Sequence, residues 1–142
     1  MPILKIKKMH PDARVPTYAN PGDAGMDLYA VERTVIRPGK MAFIATGIAV
    51  ELPRGTVGLI WDKSGLASRH GLKIMGGVID EGYRGELQMC LANLGKKSVT
   101  LEVGDKISQM LIQSVHQPKI RVVQVLSDSQ RGAKGWGSSG RK

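Results

Sequence analysis

Apolar residues recur at every second position over short runs, and turn residues break those runs at close intervals. Thr34–Arg37 and Met41–Ala45 are two such runs. They are joined by Pro38-Gly39, the order that a type II turn favours. Ile48, Val50 and Leu52 alternate up to Pro53-Arg54-Gly55, and Val57, Leu59 and Trp61 alternate next. Leu87, Met89 and Leu91 follow, then Val99, Leu101 and Val103 before Gly104-Asp105. Period two sends alternate side chains to one face of a strand, so each set is expected to point into a core. Many short strands with regular turns predict an all-β sandwich or barrel, with one short helical turn near Ala67–His70.

The pattern stops near the end. From Ser127 to Lys142 a single large apolar residue, Trp136, stands among Gly, Ser, Lys and Arg. Such a segment buries too little to offset its ordering entropy and is expected to be mobile when nothing is bound. The expected organisation is one β domain over 1–126 and a flexible glycine-rich arm over 127–142.

Composition narrows the class. With 142 residues, 42% hydrophobic and 23% charged, the chain reads as a soluble globular domain. No apolar run approaches the roughly 20 residues that span a bilayer. Met1 to Met9 is basic without an apolar stretch, so it does not read as a secretory signal. The lone Cys90 excludes an internal disulfide and suits a reducing compartment, so a cytoplasmic location is expected. A formal net charge of +9 fits a nucleic acid, an anionic membrane, a polyanionic small molecule or simply a solubilising exterior. Six aromatic residues are few for stacking successive bases of a single strand, so no stable nucleic-acid binding is expected.

Four segments carry chemistry. Gly76-Gly77-Val78-Ile79-Asp80-Glu81-Gly82-Tyr83-Arg84-Gly85 reads as a strand, a tight turn at Glu81-Gly82 with Gly at positive φ, and a returning strand. Its two leading glycines would let a ligand approach the backbone, and Asp80 would stand at the mouth of the hairpin or simply cap its own turn. Arg131 to Gly140 reads as an anion grip of guanidinium, hydroxyls and unobstructed amides, and its Trp136 would close over a base. The G-x-G-x-x-G at Gly135, Gly137 and Gly140 is not expected to be a dinucleotide fingerprint, since only Arg141 and Lys142 stand after it and no preceding strand pattern leads into it. Asp62-Lys63-Ser64-Gly65-Leu66-Ala67 sets a cation and a hydroxyl beside a glycine, a phosphate contact or ordinary turn material, and Ala24-Gly25-Met26-Asp27-Leu28 offers a carboxylate after a turn. His10, His70 and His116 lack metal-ligand spacing, and no Ser–His–Asp or Cys–His arrangement is evident.

Taken in order, these segments resemble the five motifs of the trimeric dUTPase family. They are Ala24–Leu28, Ser64–Ala67, Gly77–Asp80 with Tyr83-Arg84-Gly85, Gly104–Gln109, and Arg131-Gly132 with Gly135–Gly140. The resemblance implies a jelly-roll-like β fold, a homotrimer with active sites shared between subunits, and hydrolysis of dUTP to dUMP and pyrophosphate. Such a reaction limits uracil in DNA and supplies dUMP for thymidylate synthesis. It also implies roles. Asp80 would activate the water that attacks the α-phosphorus, and Gly77, Val78 and Ile79 would read the uracil edge. Tyr83 would pack on the deoxyribose, while Lys63, Ser64, Gly65 and Gln109 would meet phosphates. Arg131, Gly135, Trp136, Gly137, Ser138 and Ser139 would close as the arm of a neighbouring subunit, and Asp27 would help hold Mg²⁺ through water.

Two positions depart from the family pattern. Lys63 stands where arginine is common, keeping the charge but losing the bidentate fork. Trp136 stands where phenylalanine is commoner. Among rival readings, a dCTP deaminase would need a glutamate on the strand after the hairpin, and Leu87 to Leu94 has no carboxylate. A non-catalytic nucleic-acid-binding barrel and a regulatory dUTP-binding relative are the other two.

Overall fold

The computed structural model describes residues 2–140. Two four-stranded antiparallel sheets share one core. The first runs β1 (Lys5–Lys8), β4 (Met41–Glu51), β8 (Glu86–Asn93), β6 (Leu72–Met75). The second runs β2 (Met26–Tyr29), β10 (Lys106–Ser114), β5 (Thr56–Trp61), β7 (Val78–Ile79). A ribbon of β3 (Thr34–Ile36) and β9 (Val99–Leu101) stands beside them, and α1 (Ser64–His70) is the one helix among the described residues. The all-β expectation is met, with a helix that starts three residues earlier than expected.

The inward rows explain the alternation. Ile44, Ile48 and Val50 of β4 meet Leu87, Met89 and Leu91 of β8, while Leu28, Ile60, Ile107 and Met110 come from the other sheet. The runs Met41–Ala45 and Ile48–Leu52 belong largely to one long strand rather than two. A register shift between Ala45 and Ala49 hides this, because Gly47 sits there at φ 67. Thr46 Oγ1 donates to Leu87 O at 2.6 Å and Glu86 Oε1 accepts from Gly47 N at 2.8 Å, so the irregular backbone is satisfied.

Three expectations are corrected. Val57, Leu59 and Trp61 do not face the core; Gly58 and Ile60 do. Gly58 packs tightly against Ile79 and Met110, and an inward glycine is invisible to a hydrophobic pattern, which inverted the apparent phase. Val103 is exposed because β9 ends at Leu101 and Val103 lies in the turn closed by Asp105 N donating to Glu102 O at 3.1 Å. Gly76 to Gly85 is not a hairpin. β7 pairs with β5 and β8 with β4 and β6, so the segment crosses from one sheet to the other. Its positive φ values fall at Gly76 and Gly77 and not at Gly82.

After Ser114 no strand or helix follows among the described residues. Ile120, Val122, Val125 and Leu126 are almost wholly exposed there.

A side chain at Gly47 would meet the Cβ atoms of Ala13 and His10 at 2.9 Å, whereas one at Gly39, also at positive φ, meets nothing within 4 Å. Gly39→Ala is therefore expected to cost about 1–2 kcal/mol of stability from backbone conformation alone. Gly47→Ala is expected to cost a further 1–3 kcal/mol or so from overpacking. Urea denaturation of the two variants measures the difference; equal losses would show that the Gly47 bulge yields freely.

Candidate active site

The second sheet sets the site. Its cross-strand register puts Asp27 of β2 opposite Gln109 of β10, and Gln109 opposite Trp61 of β5. The adjacent row, Met26, Met110 and Ile60, is the core row, so the first row faces outward. It forms one wall of a cleft of about 490 Å³ whose lining includes Ala24, Gly25, Asp27, Asp62, Lys63 and Gln109. Gln109 Nε2 donates to Asp62 O at 2.9 Å. A Cβ on Gly25 would sit 2.5 Å from Gln109 Oε1, so the turn before β2 tolerates only glycine while Gln109 stays in place.

Asp27 is buried, yet its carboxylate is doubly neutralised. Lys63 Nζ lies 2.6 Å from Oδ1 and Lys106 Nζ lies 2.7 Å from Oδ2. Burial acts to raise its pKa, but the ammonium groups of Lys106 and Lys63 outweigh it and hold the carboxyl below the usual carboxylate range. Lys106 is raised in turn by its hydrogen bond to Asp27. Lys106 stands within the motif Gly104–Gln109, but its pairing with a residue 79 positions away leaves no local signal.

This arrangement bears on the expected Mg²⁺ contact. Both Asp27 oxygens face cations, which leaves the expected contact through water as the one the carboxylate could make. Among the described residues no group of three or more His, Cys, Asp or Glu side chains could hold a metal ion.

Asp80 lies elsewhere. A second cleft, about 480 Å³, has Val78, Asp80, Glu81 and Gly82 on one side and Gly55, Thr56, Val57, Val115 and Gln117 on the other. Asp80 is exposed, and its carboxylate accepts no hydrogen bond among the described residues, whereas Glu81 Oε2 accepts from Gly55 N at 2.7 Å. Ile60 N donates to Gly77 O at 2.8 Å, and a Cβ on Gly77 would meet Ile60 O at the same distance. Tyr83 Oη donates to Glu86 O at 2.9 Å, with its ring held over the bare Cα of Gly85.

The arm gathers only itself. Arg131 Nε and Nη2 donate to Lys134 O and Gly135 O at 3.0 and 3.2 Å, and a cleft of about 420 Å³ is lined by Gln130, Arg131, Lys134, Gly137, Ser138 and Ser139 alone. Trp136 is fully exposed.

The expected site residues therefore fall into three groups. Ile79 pairs with Gly58, which puts Asp80 level with Val57, while Lys63 lies two residues beyond Trp61. Six residues of extended chain separate them by about 20 Å. No single copy brings Asp80, Lys63 and the arm together.

Breaking the buried ion-pair set has a calculable pH signature. Asp27 has a depressed folded pKa, so its contribution to stability is present above the unfolded carboxyl value near 3.8 and is lost as pH falls through the folded one. Asp27→Asn is expected to cost about 1–3 kcal/mol at pH 7, discounted because both lysine ends reach solvent. Its stability is also expected to fall less steeply than wild type below about pH 4. Urea midpoints across that range test this, and parallel acid limbs would refute it.

Residues 11–140 match the dUTPase family. The Clostridioides difficile deoxyuridine 5'-triphosphate nucleotidohydrolase is 47% identical over 139 residues, covering 96% of this chain and 97% of that protein. The Rhodococcus erythropolis protein of the same name is 46% identical, covering 96% and 85%. Among solved structures, the Staphylococcus bacteriophage 80alpha dUTPase with dUpNHpp superposes with a TM-score of 0.92 at 32% identity, covering 97% of this chain and 98% of that one. A mutant dUTPase from phage phi11 of S. aureus, whose structure concerns coordination of a structural Mg(II) ion, gives 0.82 at 28% identity, covering 87% and 97%.

Proposed function

The chain belongs to the dUTPase family and hydrolyses dUTP, and we propose that it does so by joining its three separated groups across a homotrimer. The observation that carries the assembly is the distance along β5, which leaves Asp80 and the Lys63–Gln109 cleft on opposite ends of the same sheet. A second copy must supply one to the other. Two surfaces support association. The outward row Val57, Leu59, Trp61 and Val78 is only partly covered, and the extended Ile120–Leu126 segment exposes several large apolar side chains that a neighbour would bury.

In this assembly the nucleotide lies between two body copies. Lys63, Ser64, Gly65 and Gln109 contact the phosphate chain, with Lys63 held ready by Asp27. Gly77, Val78 and Ile79 present backbone donors and acceptors to the uracil edge, and a mismatched base leaves those groups unpaired. Tyr83, anchored through Glu86 O, packs on the deoxyribose and leaves no room for a 2′-hydroxyl. Asp80, with no competing partner, orients and deprotonates the water that attacks the α-phosphorus, an effect worth roughly 10²–10⁴ in rate. Arg131, Gly135, Gly137, Ser138 and Ser139 close on the terminal phosphate while Trp136 covers the base, which excludes bulk water. The body–arm division near residue 126 follows from this role.

Mg²⁺ accompanying the substrate would neutralise charge on the phosphate chain, and Asp27, whose two oxygens face Lys63 and Lys106, would meet it only through water. No helix among the described residues is long and apolar enough to cross a membrane. A cytoplasmic setting accords with the lone Cys90.

With Mg²⁺ present, pyrophosphate release is expected from dUTP and not from dCTP, dTTP or UTP. Asp80→Asn is expected to lower turnover by about 10²-fold or more while still binding a non-hydrolysable dUTP analogue. Loss of binding together with activity would make Asp80 structural. Sharing of sites is tested by complementation. Asp80→Asn and a chain ending at Gln130 are each expected to be nearly inactive, and co-refolding them is expected to restore activity. A mixture no better than its parts would place each site within one copy.

A further inference from the structure

The formal charge of +9 is not evenly spread, and one concentration of it lies apart from the dUTP clefts. Asn93, fully buried at the end of β8, ties three turns together. Its Nδ2 donates to Ile36 O and Lys97 O, both at 2.8 Å, and its Oδ1 accepts from Gly95 N at 2.9 Å. Its backbone N donates to Lys40 O at 2.9 Å and its backbone O accepts from Gly39 N at 2.8 Å. Leu94 N then donates to Gly71 O at 2.9 Å, and a Cβ on Gly95 would stand 2.5 Å from His70 O. The β3–β4 turn, the end of α1 and the β8–β9 turn are thereby fixed side by side.

These turns carry Arg37 and Lys40, Arg69 and His70, and Lys96 and Lys97, all exposed. The last four line one concavity of about 440 Å³ together with Ser68. No Asp or Glu occurs in 34–50, 63–79 or 87–101, the three stretches that supply the turns. Arg37, Lys40, Arg69, Lys96 and Lys97 make no ion pair among the described residues, while Lys5, Arg33, Lys63, Lys73 and Lys106 each do. A solubilising surface mixes signs; this one carries a single sign on a rigid frame.

We infer that this end of the sandwich is a binding surface for the phosphate backbone of a nucleic acid, separate from the site of dUTP hydrolysis. The cations extend over three turns, wider than a single phosphate group needs and suited to successive phosphates of a chain. Exposed large apolar side chains beside these turns are Val35, Met41, Phe43 and Leu94, which lie on separate turns and strands rather than along one amphipathic helix face of the kind that seats a protein in a bilayer. The scarcity of aromatics that argued against base stacking leaves backbone contact untouched, so the binding is sequence-independent and labile to salt.

The test uses the full chain and a short fluorescein-labelled DNA duplex, read by anisotropy. If about four phosphates are neutralised, log K falls with log salt at a slope near −3.6, and a fourfold rise in salt costs about 100-fold in affinity. Arg37→Glu with Lys40→Glu, and separately Lys96→Glu with Lys97→Glu, are expected to weaken binding at least about 10-fold and to flatten the slope by one to two. The control Lys7→Glu with Lys8→Glu makes the same change in net charge on exposed β1 positions and is expected to leave binding within about twofold. Unchanged dUTP hydrolysis in every variant certifies the fold. Equal losses in control and turn variants would show a pull by net charge alone and overturn the surface. So would absence of duplex binding, including the case in which only phosphatidylserine vesicles bind.

Discussion

The register of β10 between β2 and β5 puts Gln109 level with Asp27 on one side and Trp61 on the other, while Met110 lies level with Met26 and Ile60. One row builds the core and the adjacent row builds the wall of a cleft. A slip of one residue would exchange them, burying Gln109 and exposing Met110, so the apolar row fixes the polar one without any polar contact having to do so. Gly25 and Gly58 are the accompanying concessions. The first clears space for Gln109, and the second lets Ile79 and Met110 close over β5.

Much of this was legible in the chain. Alternation at Ile48, Val50, Leu87, Met89 and Leu91 marks strands whose inner faces are filled by large side chains, and all five are buried. The signal failed where the inner face holds a glycine, as at Gly58, and where an apolar residue rides in a turn, as at Val103. The segment Gly76 to Gly85 has the composition of a hairpin. Its destination was decided by which sheet each flanking strand joins, and that depends on partners far along the chain. The motif residues were identifiable by type and order. Their spacing in the fold was not, because the order of motifs carries no information about which strand ends lie side by side; only the resemblance implied that copies share a site.

Charge shows the same division between local and distant information. Lysines appear scattered along the sequence, yet in space two of them converge on Asp27 and others gather around Asn93. The first group is neutralised and partly buried, so its energy goes into holding Lys63 and Lys106 in place. The second is unneutralised and held by a polar side chain whose donors and acceptor are all used. An uncharged amide can tie cationic turns together without cancelling their field, which a carboxylate at the same position would do.

The two tryptophans sit in unusual places for a protein of this size. Trp61 lines the cleft beside Lys63 and Gln109 and is half exposed, while Trp136 stands bare on the arm. Neither belongs to the core cluster. Intrinsic fluorescence from this protein is therefore a gauge of the cleft and the arm rather than of the sandwich. Its emission reads the wetness of the places where a nucleotide would settle, with no label attached.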